Sequence, residues 1–302
     1  MIITYGACPN IIIDGSSLTQ GVVLRLGLLN QQRYEHSISD LLDKLGSTWT
    51  GRAVFKAIRR TAGQGRRLRI VPYSAADRTA MGEDNAFAGA NKPTAAAPRG
   101  VIDFAGGSGN DRFRLARYMG TGAGSDSEIH FTPQESTPIC GSGVVASACR
   151  LRGQAEHNAD ETLLHEMVHS LRQMLGQSQR YPTVMSGYDN DEEFFAILIA
   201  NVYISEKGGK VLRASHASSY GSLSADLATS EKFLGKGDAV ITVEKFENRR
   251  LIQKLAGQNY DVCSTIAAHV HTEFNPIGEY MTNTRFYPDD PFKAYAAAPA
   301  AS

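Results

Sequence analysis

The 302-residue sequence predicts an α+β fold, with a small mixed or antiparallel sheet and two prominent helices after it. Three observations predict this. Short β-rich runs are scattered over the first 131 residues. A stretch with helical periodicity spans 158–176. A second helical stretch, acidic at its start and apolar beyond, begins at Asp189. Three hundred residues can bury a sizeable core, and 1–290 reads as a single domain. The Ala/Pro-rich tail at 291–302 reads as disordered.

The elements follow in order. Residues 2–13 are rich in isoleucine and read as one or two strands around Cys8-Pro9-Asn10. A helix is expected over about 37–45 and a second from Ser47 or Thr48 toward Arg60. Residues 67–71 alternate basic and apolar side chains, which suggests an edge or half-exposed strand. The Ala-, Gly-, Pro- and Asn-rich stretch 74–100 reads as loop. A short strand is expected over 101–104, then a glycine-rich excursion to 127. Its Gly120-Thr-Gly122-Ala-Gly124 run is followed by no lysine and leads into a strand, so it does not read as a phosphate loop. Residues 128–131 read as a strand. It is either an ordinary core strand or an exposed edge able to pair with a peptide's main chain. Residues 134–157 read as loop.

In the next stretch, Asn158 or Asp160 suits the helix cap, and Asp160 and Glu161 suit its positive end. Leu164, Met167, Val168, Leu171, Met174 and Leu175 form an apolar stripe flanked by His165, His169 and Arg172. Gly176 suits the stop. The helix after Asp189 crowds acids into its first turn and is apolar all round beyond it, so it should be buried. Residues 244–255 and 261–274 read as further helices.

Composition removes several functions. Lys plus Arg and Asp plus Glu balance at 31 each, so nothing favours nucleic acid or an anionic membrane as partner. No apolar run reaches the length needed for membrane insertion. The start lacks the basic leader and long apolar core of a secretory signal peptide. The 4 cysteines are too few for a disulfide scaffold, and free thiols are preferred over a Cys140–Cys149 bridge.

The chemistry centres on His165-Glu166-Met167-Val168-His169. Residues four apart lie on one helix face, so His165 and His169 can grip a single ion. Imidazole suits zinc, and two such ligands leave room for a third protein ligand and a water. Glu166, one residue round the helix, can take that water's proton. This is the layout of a zinc peptidase with one Zn2+ per chain. The third ligand should come from the acidic helix start, with Glu193 preferred over Glu192. The developing oxyanion needs a further donor. Tyr188 and His216 are candidates, Tyr220 a weaker one, and a structural role is open for each. Asn201 or Asp191 could orient a ligating imidazole. His269 and His271 diverge on a helix and read as structural or surface residues. No Gly-x-Ser-x-Gly nucleophile elbow is present.

Three elements together resemble NleD-like zinc metallopeptidases, which are bacterial effectors injected into host cells by type III secretion. They are Leu163-Leu164-His165-Glu166-Met167-Val168-His169, then Asp191-Glu-Glu-Phe-Phe-Ala-Ile-Leu-Ile-Ala-Asn-Val-Tyr203 with Ser205-Glu206, and Leu212-Arg-Ala-Ser-His216. A peptidase module of some type VI secretion spike proteins is similar. The likeness covers roughly residues 155–220. It implies a zincin-like fold, His165, His169 and Glu193 as ligands, Glu166 as catalytic base, and His216 lining the site. It also implies a protein substrate in a host or competitor cell. Delivery would be by a secretion apparatus after synthesis in the bacterial cytoplasm. Two other readings compete: a catalytically degenerate zinc-binding interaction module, and a cytoplasmic housekeeping peptidase.

Overall fold

The computed structural model describes residues 2–19, 24–74, 76–77, 79, 86–100, 102–105, 116–133, 158–180, 183, 188–215 and 222–283. The fold is mixed α+β. Strands β1 (Ile3–Thr4), β2 (Ile11–Ile13), β3 (Leu68–Val71), β4 (Ala86–Ala90) and β7 (Ser127–Phe131) form one sheet in the order β1-β2-β3-β7-β4. β3 runs parallel to both β2 and β7, while β1 and β4 are antiparallel to their neighbours. Strands β5 (Ile102–Ala105) and β6 (Ala116–Met119) make a separate antiparallel pair.

Two long helices come from the first half of the chain. Helix α1 (Leu24–Gly46) begins well before the expected position. Its N-terminal half buries polar side chains, Asn30, Gln31 and Glu35, which hides the apolar period. Gln31 donates to Glu35 at 2.6 Å, and the buried Tyr34 hydroxyl donates to the Phe131 carbonyl at 3.1 Å. Helix α2 (Trp49–Thr61) starts where expected, with the Thr48 hydroxyl accepting from the Gly51 amide. A side chain from far along the sequence finishes this cap. Glu206 accepts from the Trp49 and Thr50 amides at 2.7 and 3.0 Å and from the Thr50 hydroxyl at 2.7 Å.

The structure decides between the alternatives left open for two strands and corrects one loop reading. β3 is an interior strand, not an edge. Its exposed Arg69 lies on the open face of the sheet, where it pairs with Asp14 at 2.6 Å and Glu128 at 2.5 Å. The alternation therefore reports a solvated face. β7 is likewise interior, hydrogen-bonded to β3 on one side and β4 on the other. β4 itself lies in the stretch read as loop, as does the short helix α3 (Pro93–Ala96). The β4 sequence, AFAGA, has no β-branched residue to announce a strand. Pairing with β7 creates it.

Helix α4 (Ala159–Met174) packs across β7 and β4 and against helix α5 (Asp191–Glu206). Polar bonds fix its seat on the sheet. The Ser127 hydroxyl lies 2.9 Å from the Ser170 hydroxyl and donates to Gln173 at 2.7 Å, and Gln173 donates to the Ala88 carbonyl at 3.0 Å. The glycine-rich run 120–124 closes on the C-terminal end of the same helix. Gly124, at φ 77°, leaves only 2.1 Å between the place of a Cβ and the Met174 carbonyl oxygen. These glycines let backbone pass backbone.

The remaining helices, α6 (Ser230–Leu234), α7 (Val243–Gln258), α8 (Tyr260–His269) and α9 (Pro276–Thr282), form a cluster after α5. α8 ends at His269, short of the expected 274, because Val270 turns to extended backbone. Cys8 and Cys263 are buried free thiols. Cys140, Cys149 and the tail 291–302 lie outside the described residues. Among the described residues, no helix is long and apolar enough to cross a membrane.

Two stability outcomes follow. Glu206→Ala removes acceptors from two helix-end amides and should cost about 1–2 kcal/mol in urea unfolding. Gly124→Ala adds a side chain at positive φ against a carbonyl and should cost more than about 1 kcal/mol in the same assay.

Candidate metal centre

α4 is buried on nearly every face, and its charges are answered from other elements. Asn158 is the N-cap residue, and its side chain donates to Glu161 at 2.7 Å. Asp160 does more than suit the helix dipole. It is buried and receives the Tyr203 hydroxyl at 2.5 Å, Lys207 at 2.7 Å and Lys44 at 3.0 Å. Burial opposes its charge, but Lys207, Tyr203 and Lys44 together hold its pKa below the ordinary carboxylate value.

His165 and His169 project from α4 toward the first turn of α5. Their Nε2 atoms lie 3.1 Å apart. Glu193 Oε2 stands 3.2 Å from His165 Nε2 and 3.4 Å from His169 Nε2. These three residues could hold a metal ion. Ligands about 2.0–2.2 Å from a tetrahedral ion lie roughly 3.3–3.6 Å from one another. The observed triangle is close to that size, and its two imidazoles and one carboxylate are a donor set that suits zinc. Glu166 is buried beside them, and its charge acts on His169.

The start of α5 separates the acidic candidates by geometry. Asn190 caps the helix, accepting from the Glu193 amide at 3.1 Å. Successive residues then point about 100° apart. Asp191 pairs with Lys254 of α7. Glu192 turns to Arg172, accepting from Nε at 2.9–3.0 Å and from Nη2 at 2.8 Å. Glu193 alone of the three reaches both histidine Nε2 atoms. Burial opposes its ionisation, but His169 and His165 hold its pKa well below the ordinary value.

Other candidates stand as follows. Tyr188 is buried with its ring edge-on to Phe194, centroids 5.0 Å apart. Among the described contacts, none joins its hydroxyl to His165, His169 or Glu193. Asn201 clamps the Arg213 backbone, donating to its carbonyl at 2.9 Å and accepting from its amide at 2.8 Å. Neither Asn201 nor Asp191 thus takes the imidazole-orienting place considered for it; Glu192 faces His169 instead. His216 and Tyr220 lie outside the described residues. His269 stacks on Trp49 at 4.1 Å, and both it and His271 are exposed; His271 lies beyond the end of α8, so the two do not share a helix. Two residues near the centre carried no functional assignment in the sequence. Arg172 was legible only as a flank of the apolar stripe. Arg213, whose positive charge contributes to lowering the His165 pKa, sits in the Leu-Arg-x-x-His element.

No protein-family model, curated protein or solved structure matches the chain.

The electrostatics of the pair set a pH dependence. Burial pushes the His165 pKa down to about 3. Burial also opposes charge on His169, but Glu193 and Glu192 outweigh it and raise the pKa to about 10. The carboxylates thus favour the charged form of His169, while burial favours the neutral form of His165. A cation needs both imidazoles neutral, so uptake at pH 7 should release about one proton. Affinity should rise with pH until His169 deprotonates, and calorimetry in buffers of different ionisation enthalpy reads this directly. The second outcome concerns stability. Burial opposes the Glu192 charge, yet Arg172 and His169 bring its pKa down to about 2. A depressed carboxylate stabilises the fold above its unfolded value of 4.5 and loses that contribution as pH falls toward 2. Glu192→Gln, which leaves Arg172 buried without its counter-charge, should cost about 3–5 kcal/mol near neutrality in denaturant unfolding.

Proposed function

We propose that the protein is a zinc-dependent endopeptidase with a zincin-like fold. The observation that carries this is the triangle of His165 Nε2, His169 Nε2 and Glu193 Oε2, with edges of 3.1–3.4 Å, beside the buried Glu166. A structural zinc site prefers four protein ligands with cysteines. Among the described residues, both cysteines are buried and neither belongs to the metal-holding group.

A bound zinc ion would lower the pKa of a water toward neutrality and polarise the scissile carbonyl. The protein's share is positional and protonic. His165 and His169 are held at fixed spacing by one turn of α4, and the capped first turn of α5 brings Glu193 to them. Glu166, adjacent to His165, takes the proton of the attacking water and passes it to the leaving amine. The sheet beside α4 is mixed and five-stranded, which is compatible with this class of fold.

The biological setting rests on resemblance. The Leu163–His169 motif, the acidic-aromatic start of α5 and the Leu-Arg-x-x-His element are similar to NleD-like effectors. On that basis the substrate is a protein of a host or competitor cell, reached through a secretion apparatus. Recovery of the protein from a secreted fraction or a target cell tests this; retention in the producing cell under secretion-inducing conditions counts against it.

The enzymatic reading has a sharper test. The purified protein should carry about one zinc per chain, lost in His169→Ala. Glu166→Gln should keep the zinc and lose about 100-fold or more in proteolytic rate, the usual size of a general-base contribution. Undiminished proteolysis by Glu166→Gln, or no zinc uptake by the wild type on titration, overturns the reading.

A further inference from the structure

We propose that Glu192 is a positioning residue for the metal ligand His169, held in place by Arg172, and that this pair ties metal affinity to the junction of α7 and α8. The inference rests on the metal-centre reading and concerns residues that do not touch the ion.

The two ends of the His169 ring face different carboxylates. Nε2 faces Glu193 and His165, the metal side, while Nδ1 faces Glu192 Oε2 at 4.0 Å. A ligating imidazole commonly gives its second N–H to a carboxylate or carbonyl, which sets the tautomer and the ring's direction. With the proton kept on Nδ1, the Nε2 lone pair is free for a cation. At 4.0 Å the two groups are in electrostatic contact, and the carboxylate itself has little freedom to retreat.

That lack of freedom is the structural reason for assigning Glu192 this role. Arg172 and Glu192 are 1% and 2% exposed at their side chains and bonded through a fork of three contacts. The Gln179 amide donates to Glu192 Oε1 at 2.8 Å. Arg172 Nη1 donates to Asn259 Oδ1 at 2.8 Å, and Nη2 is also shared with Gln258 Oε1 at 3.0 Å and the Gln177 carbonyl at 2.9 Å. Its guanidinium also lies 4.5 Å from the centre of the Phe195 ring. Gln258 and Asn259 form the α7–α8 junction, and Asn259 and Gln177 are bonded again at 2.8 Å. Each donor leaves Arg172 one orientation, and Arg172 leaves Glu192 one orientation. A buried ion pair is weak evidence of stabilisation by itself. Here its geometry has a use: it presents a fixed acceptor to the back of a ligand.

The test is zinc affinity, measured by competition with a chromophoric chelator, alongside unfolding of the metal-free protein. Glu192→Gln alone leaves a buried arginine uncompensated and risks unfolding. The deciding variant is therefore Arg172→Met/Glu192→Leu, which removes both charges and the acceptor facing His169 and should fold. If the wild type binds zinc and the folded double variant binds it about 10–100-fold more weakly, with a changed cobalt(II) absorption spectrum, Glu192 positions the ligand. Equal affinity and an unchanged spectrum in the folded double variant would show that the pair only holds the helices together, overturning the inference while leaving the metal centre intact. Failure of the wild type to bind zinc would remove the metal centre itself, and the inference with it.

Discussion

Burying a charged group away from water is costly unless another charge or a full set of hydrogen bonds replaces that water. α4 is buried almost all round, yet it carries Asp160, Glu161, His165, Glu166, His169 and Arg172. Several long-range polar contacts from different elements are answers to that one helix. α5 supplies Tyr203 to Asp160 and Glu192 to Arg172, and its C-cap Lys207 also pairs with Asp160; α1 supplies Lys44; the α7–α8 junction supplies Gln258 and Asn259. The apolar packing of α5, buried from Phe194 to Ile204, holds these partners at the right depth.

The sheet serves the same helix from the other side. Ser127 on β7 and the Ala88 carbonyl on β4 bond to Ser170 and Gln173, one and four residues beyond His169. The glycine run 120–124 grips the helix end by close backbone contact. α4 is thus fixed at its start by ion pairs, along its length by α5 and the sheet, and at its end by glycines. Rigidity of this kind is what a metal centre needs, since ligands displaced by about an ångström no longer share one ion. Such a foundation fits the proposed hydrolytic role, in which Glu166 must stay aligned beside the ligands.

Some of this was legible in one dimension because its cause is local. A four-residue spacing places His165 and His169 on one face whatever surrounds them, and Thr48 caps α2 through its own third neighbour. Likewise the near-total apolarity of α5 after its first turn predicts burial without knowledge of what buries it. Other features were hidden because their cause lies far along the chain. β4 has a sequence with little strand preference and exists through β7. The first half of α1 masks its period with buried Asn30, Gln31 and Glu35, polar residues whose burial depends on what packs over the helix. The alternation of β3 was real but ambiguous, since a half-exposed strand can sit inside a sheet that has one open face.

The sequence by itself determined the chemistry available: two imidazoles and a glutamate within one helical turn, and a run of acids able to complete the set. Tertiary structure decided how those acids divide. Asp191, Glu192 and Glu193 are adjacent and chemically alike, so composition and spacing ranked them only weakly. The helix rotates each to a different neighbour, sending Asp191 to Lys254, Glu192 to Arg172 and Glu193 to the histidine pair. The physical reason is that a pattern along a chain specifies which face of its own helix a residue occupies. What stands opposite that face is set only when the helices pack.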